Sequence, residues 1–257
     1  MIRRTVLSLL GLLAAGCFHP QPTTVPLRTL PVSPTSQTAG SDSRCLVVFL
    51  PGRGDVPEDY VRNGFGEALR RAGSRCEMVG VDAHMGYYFE GSIVERLEKD
   101  VIGPARARGV DRVWLVGISL GGLGSVLYAR DHPGGIAGVV LLSPFLGTED
   151  VTSEVAAAGG LRSWKPPQSP GERDFRGVWA WLQGYAPENG GAADRPPLYL
   201  AYGARDRFAE IDGMLAEVLP KERIFTLPGH HNWRTWRRLW AALLGGGVVP
   251  GATGSSR

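Results

Sequence analysis

From residue 44 onward, short apolar runs alternate with stretches in which apolar residues recur at helical spacing. Residues 46–50 (LVVFL) form the first run and stop at Pro51-Gly52-Arg53-Gly54. Residues 60–72 follow with Phe65, Ala68 and Leu69 on one side of a predicted helix. Further strands are expected at 77–81, 113–118, 139–142, 198–202 and 223–227. Ser92 with Glu95 three residues on has the form of a capping box, and Ile93, Leu97 and Val101 continue at helical spacing. Residues 121–130 read as a helix stopped by His132-Pro133-Gly134-Gly135, and 233–244 as the last helix. The strands are continuously apolar rather than alternating, as strands buried on both faces of a parallel sheet are. Strands separated by helical segments imply crossover connections. The expected fold is therefore α/β, with a mostly parallel central sheet and helices on both faces.

Residues 147–197 break this rhythm. They are rich in turn residues, hold one short helical piece at 175–182, and lie between two strands. They read as an insertion over one end of the sheet. Sites in such sheets lie at the carboxyl ends of the strands, so this piece is expected to help wall a pocket. Its tryptophans, Trp164, Trp179 and Trp181, are candidates to floor it. In the last helix, Trp233, Trp236 and Trp240 are spaced by three and four, with Arg234, Arg237 and Arg238 largely opposite. That is an amphipathic helix with its tryptophans against the sheet.

The chain has 257 residues, of which 43% are hydrophobic, enough for one domain with a full core. Its net charge is only +3 and its basic residues are scattered, so no nucleic-acid footprint is present. The 36 glycines and 19 prolines suit long connections rather than a helical repeat. Residues 1–16 have the form of a signal peptide: Arg3 and Arg4, then an apolar run too short for a typical membrane span. The ending Leu13-Ala14-Ala15-Gly16-Cys17 resembles a bacterial lipobox. On that resemblance Cys17 would carry a lipid and tie the protein to a membrane of the cell envelope, facing the periplasm or exterior. Ordinary secretion is the alternative. Residues 17–43, rich in Pro, Thr, Ser and Gln, read as a tether, 44–246 as the domain, and 247–257 as a flexible tail. Cys45 and Cys76 each open an apolar run. If those runs are neighbouring strands, an exported protein can join them in a disulfide; otherwise they are two reduced thiols.

The candidate chemistry centres on Ser119, in Gly117-Ile118-Ser119-Leu120-Gly121, directly after a strand and before a helix. That is the context of a nucleophile elbow. A serine alone is a poor nucleophile; it needs a histidine to take its proton and an acid to orient the histidine. Of 5 histidines, His19 lies in the tether and His132 at a helix end. His230 and His231, in LPGHHNWRTW, follow the last strand, and Asp206, in GARDRF, follows the preceding one. Asp82 also follows a strand but precedes Ser119 in the chain. No metal-ligand spacing and no Walker loop occur, and no cofactor is called for.

On the elbow, GARDRF and GHHNWRTW in this order, the chain resembles the α/β-hydrolase superfamily over roughly residues 44–244, in particular its esterase-like members. The resemblance implies a triad of Ser119, Asp206 and a histidine. Laid on the Gly-Gly-His-Asp-Trp ending of such members, His231 takes the catalytic place, while His230 replaces a glycine and Asn232 the aspartate. It also implies an oxyanion hole from the backbone N–H groups of Leu120 and Arg53, although Pro51 stands where a histidine is common. The Arg53 side chain either meets a substrate carboxylate or pairs with Asp55 or Glu58. His84, Tyr87, Tyr88 and His230 are candidate pocket residues. The expected activity is carboxylester hydrolysis on a small-molecule acyl substrate. Thioesterase, amidase or peptidase chemistry and a non-catalytic binding lipoprotein are the alternatives. Oligomeric state is not legible.

Overall fold

The computed structural model describes residues 21–32, 44–171, 174–190, 194–248 and 250. Cys17, His19 and the segment read as a signal peptide lie outside them. Among the described residues no helix is long and apolar enough to cross a membrane.

Seven strands form one sheet: β1 (Thr29–Pro31), β2 (Cys45–Leu50), β3 (Glu77–Val81), β4 (Arg112–Ile118), β5 (Ile136–Leu142), β6 (Leu198–Gly203) and β7 (Ile224–Leu227). Their order is β1-β3-β2-β4-β5-β6-β7. Only β1 runs antiparallel; all other neighbours are parallel. The apolar runs divide between two cores because successive side chains point to opposite faces. Leu46, Val48 and Leu50 of β2 face one cluster, and Val47 and Phe49 the other.

Helices α1 (Pro57–Arg62), α2 (Phe65–Arg71) and α10 (Trp233–Gly245) cover the second face. Trp236, Leu239, Trp240 and Leu243 of α10 are buried there, as the tryptophan spacing predicts. Phe65 stacks on Trp240 at 5.5 Å between ring centroids, and the Trp240 Nε1–H donates to the Phe65 carbonyl at 3.1 Å. Burying each such side chain stabilises the fold by about 2 kcal/mol. The expected single helix over 60–72 is two, because Asn63 and Gly64 turn the chain and Gly64 takes φ 69°.

The first face carries α3 (Met85–Glu90), α4 (Ile93–Leu97), which continues through a π-helical turn into α5 (Gly103–Ala107), then α6 (Leu120–Asp131), α7 (Glu149–Ala157), α8 (Phe175–Gln183) and α9 (Ala209–Ala216). The Ser92 capping box is not made. Ser92 has φ −93° and ψ −6°, and its side chain caps no N–H of the helix.

The expected tether is corrected over residues 21–32. Leu27 and Val32 are buried, β1 pairs with β3, and Arg28 bridges Glu58 and Asp82 at 2.7 and 3.0 Å. This segment closes the sheet edge beside β3 and gives Asp82 its partner. The insertion is likewise more than a cover: Val151, Val155, Leu161, Trp164, Val178, Trp179 and Leu182 belong to the core. Cys45 and Cys76 are joined in a disulfide with their Cα atoms 4.7 Å apart, since β2 and β3 are parallel neighbours with Leu46 opposite Glu77.

Candidate active site

Ser119 sits at the turn from the carboxyl end of β4 into α6, with φ 50° and ψ −114°. A non-glycine residue with positive φ is strained, and such strain concentrates at functional sites. The flanking glycines are required by closeness rather than by their own φ. A Cβ on Gly121 would run into the carbonyl oxygen of Leu50, and one on Gly117 into that of Gly121. The strand, the turn and the start of α6 therefore pack backbone against backbone, and the serine hydroxyl is held at the end of the sheet.

The ends of β6 and β7 supply the other two groups. The N–H groups of Ala204 and Arg205 donate to the carbonyls of Leu227 and Gly229, each at 2.9 Å, which locks the two loops together. Asn232, standing where the esterase pattern has aspartate, caps α10: its Oδ1 accepts the Thr235 N–H at 3.0 Å. Within that frame His231 turns inward and His230 outward. The His231 Nε2 lies 3.0 Å from the Ser119 Oγ, and its Nδ1 lies 2.9 and 3.0 Å from the two Asp206 oxygens. Phe208 and Trp236 stand edge-on to the His231 ring, each 5.0 Å away between centroids, and restrict its rotation. His230 is exposed and its Nδ1 is 3.0 Å from the Arg205 carbonyl oxygen.

Two buried carboxyls near each other are shifted in opposite directions. Burial raises the Asp206 carboxyl, but the hydrogen bond with His231 and the Phe208 N–H donated at 3.0 Å outweigh it and hold it below its ordinary value. Asp212 in α9 is fully buried, and neither of its oxygens has a hydrogen-bond partner among the described residues. Burial, and after it the charge on Asp206, pushes its carboxyl well above the ordinary value. The two carboxyls are thus shifted in opposite directions, Asp212 toward its neutral form and Asp206, beside His231, toward its charged form. Nothing in the local sequence distinguishes Asp212 from a surface helix residue.

A cavity of about 240 Å³ opens at Ser119, lined by Arg53, Met85, Ser119, Leu120, Phe145, Arg207 and Phe208. Arg53 and Leu120 both line the cavity at the serine, and neither backbone N–H has a hydrogen-bond partner among the described residues. The four candidate pocket residues do not line this cavity. His84 caps α3, accepting the Gly86 N–H at 3.2 Å. Tyr87 is buried, with its hydroxyl donated to the Thr24 carbonyl at 3.0 Å. Tyr88 lines a different cavity with Leu123, Leu127 and Phe175. Met85, the first residue of α3, lines the cavity with the serine. Trp164, Trp179 and Trp181 do not reach it either. The insertion contributes by packing Phe175 against the cavity residue Phe145, with ring centroids 5.8 Å apart. Among the described residues no three His, Cys, Asp or Glu side chains gather to hold a metal.

The mostly parallel seven-stranded sheet, helices on both faces and the strand-turn-helix at Ser119 define an α/β-hydrolase fold. Solved structures share it. Est1E from Butyrivibrio proteoclasticus matches with a TM-score of 0.53 and 16% identity over 80% of this chain and 87% of that one. A monoacylglycerol lipase of Paleococcus ferrophilus matches with a TM-score of 0.51 and 20% identity, over 85% of this chain and 98% of that one. The S-formylglutathione hydrolase of Staphylococcus aureus gives a TM-score of 0.50 and 15% identity, over 78% and 79%. No protein-family profile and no curated protein sequence matches the chain.

Proposed function

We propose that this protein is a serine hydrolase that cleaves carboxylic esters through an acyl-enzyme. The observation that carries the reading is the unbroken hydrogen-bond chain from Ser119 through His231 to Asp206. As the Ser119 Oγ bonds to the acyl carbon, its proton passes to the His231 Nε2. The carbonyl oxygen takes the negative charge, next to the N–H groups of Leu120 and Arg53. The carbonyl re-forms, the ester C–O bond breaks, and His231 returns the proton to the departing alkoxide. Water then repeats the sequence on the acyl-enzyme, releasing the acid and restoring Ser119. Asp206 keeps the Nδ1 proton in place and stabilises the imidazolium.

The cavity is below the roughly 300–1,000 Å³ of sites for drug-sized ligands, and Met85, Phe145 and Phe208 give it apolar walls. Short acyl groups fit it best. Presented with p-nitrophenyl esters of graded acyl length, the protein is expected to turn over acetate to butyrate faster than decanoate. Absence of turnover on every ester by folded protein would remove the ester reading in favour of amide, thioester or non-catalytic roles.

Export with lipidation at Cys17 is the reading of the N-terminus that the lipobox-like residues support. The Cys45–Cys76 disulfide fits it, because such bonds persist in oxidising compartments. Expressed in bacteria, the full chain is expected to incorporate labelled palmitate and the Cys17→Ala chain none. Equal labelling of the two would overturn the assignment.

A further inference from the structure

We infer that the substrate carries a negative charge a few bonds from the scissile carbonyl, and that the side chains of Arg53 and Arg207 receive it. This rests on the ester-hydrolase reading and adds the substrate class. Both residues line the cavity at Ser119, and among the described residues no acidic one does, the Asp55 carboxyl lying behind it beside Gly52. The sequence leaves the Arg53 guanidinium two destinations, a substrate carboxylate or a partner in Asp55 or Glu58. The structure removes the second. Asp55 accepts the Trp233 Nε1–H at 3.0 Å, and Glu58 is held by Arg28 at 2.7 and 3.2 Å. Among the described residues Arg53 has no ion pair.

Arg207 has none either. Its guanidinium lies over the Phe208 ring, 4.9 Å from the centroid, which orients the charge at the cavity without neutralising it. Other arginines are treated otherwise: Arg28, Arg44, Arg62, Arg96, Arg108, Arg162 and Arg176 all sit against carboxylates. The two beside the serine come from different loops, after β2 and after β6, yet converge on one opening with apolar walls. Arginine matches a carboxylate or phosphate with paired N–H groups, and both side chains are exposed where the cavity opens to solvent. The shared chemistry is an anionic group on an ester small enough for this cavity.

The test uses two matched pairs that differ only in charge. The first is mono-p-nitrophenyl adipate against p-nitrophenyl methyl adipate, which places the charge on the acyl side. The second is 4-acetoxybenzoate against methyl 4-acetoxybenzoate, which places it on the leaving side. After correction for spontaneous hydrolysis, kcat/KM is expected to favour the anion by about tenfold in at least one pair, the size of one or two charge-assisted contacts. That ratio should fall toward one in Arg53→Gln/Arg207→Gln, be largely kept in Arg207→Lys, and shrink as salt screens the charges. A ratio of one or less in both pairs, or a ratio unchanged in the double variant, overturns the inference. Turnover of the neutral esters without charge preference would leave the hydrolase reading standing and remove only this one. Calorimetry of the same compounds with Ser119→Ala reads the preference without turnover. Equal binding of anion and neutral partner there also overturns the inference.

Discussion

Ser119→Ala is expected to lower kcat/KM on p-nitrophenyl butyrate by about 10⁶-fold, the loss seen when a triad of this kind is stripped of its nucleophile. The hydroxyl has one hydrogen bond within the described residues, to the His231 Nε2, so its removal breaks nothing that holds the fold. Alanine is no bulkier at φ 50° than serine. The variant should therefore melt within a few degrees of the parent. A thermal melt beside the rate separates the two contributions. Rates in Ser119→Ala equal to the parent's would end the proposed mechanism.

The second large effect is expected from Asp206→Asn, a fall of about 10⁴-fold in kcat with folding preserved. The asparagine can still accept the Phe208 N–H, so the loop keeps its shape. What changes is the proton on His231. An amide NH2 facing Nδ1 favours the ring form with its proton on Nε2, and that nitrogen then cannot take the proton of Ser119. The substitution should also alter stability against pH. The Asp206 carboxyl is held below its ordinary value of 3.8, so its contribution is complete above that value and is lost as pH falls through the lower folded value. Urea midpoints across the acid range should show that limb in the parent and a weaker one in Asp206→Asn. An identical acid limb in both would show that Asp206 is not the charged partner of His231.

Much of the frame was legible along the chain because its signals are local. A strand buried on both faces must be apolar at consecutive positions, and all six such runs from residue 44 onward became strands. Glycines around Ser119 after an apolar run mark a tight turn wherever they occur, since only hydrogen lets Gly121 approach Leu50. The order of serine, acid and histidine loops follows from the strand order. Strand β1 left no such trace. It is three residues long and only its middle residue is partly buried, and it is held by Leu27, Val32 and the Arg28 ion pairs with partners 30 and 54 residues away. Helix α3, carrying Met85, was missed because it is only six residues long and its aromatic run shows no helical spacing.

What the sequence alone determined is the α/β architecture, the strand-turn-helix at Ser119 and the loops that hold Ser119, Asp206 and His231. Each is written in neighbouring residues or in the spacing of apolar runs; the Cys45–Cys76 bond was left open. Only the tertiary structure decided that Asp212 is buried beside Asp206, and that Met85, Phe145, Arg207 and Phe208 surround the serine; the choice of His231 over His230, which the resemblance implied, acquires its geometry there. Those outcomes depend on how loops from five strand ends settle against one another. Side-chain direction and local dielectric are set there by contacts between residues far apart in the chain.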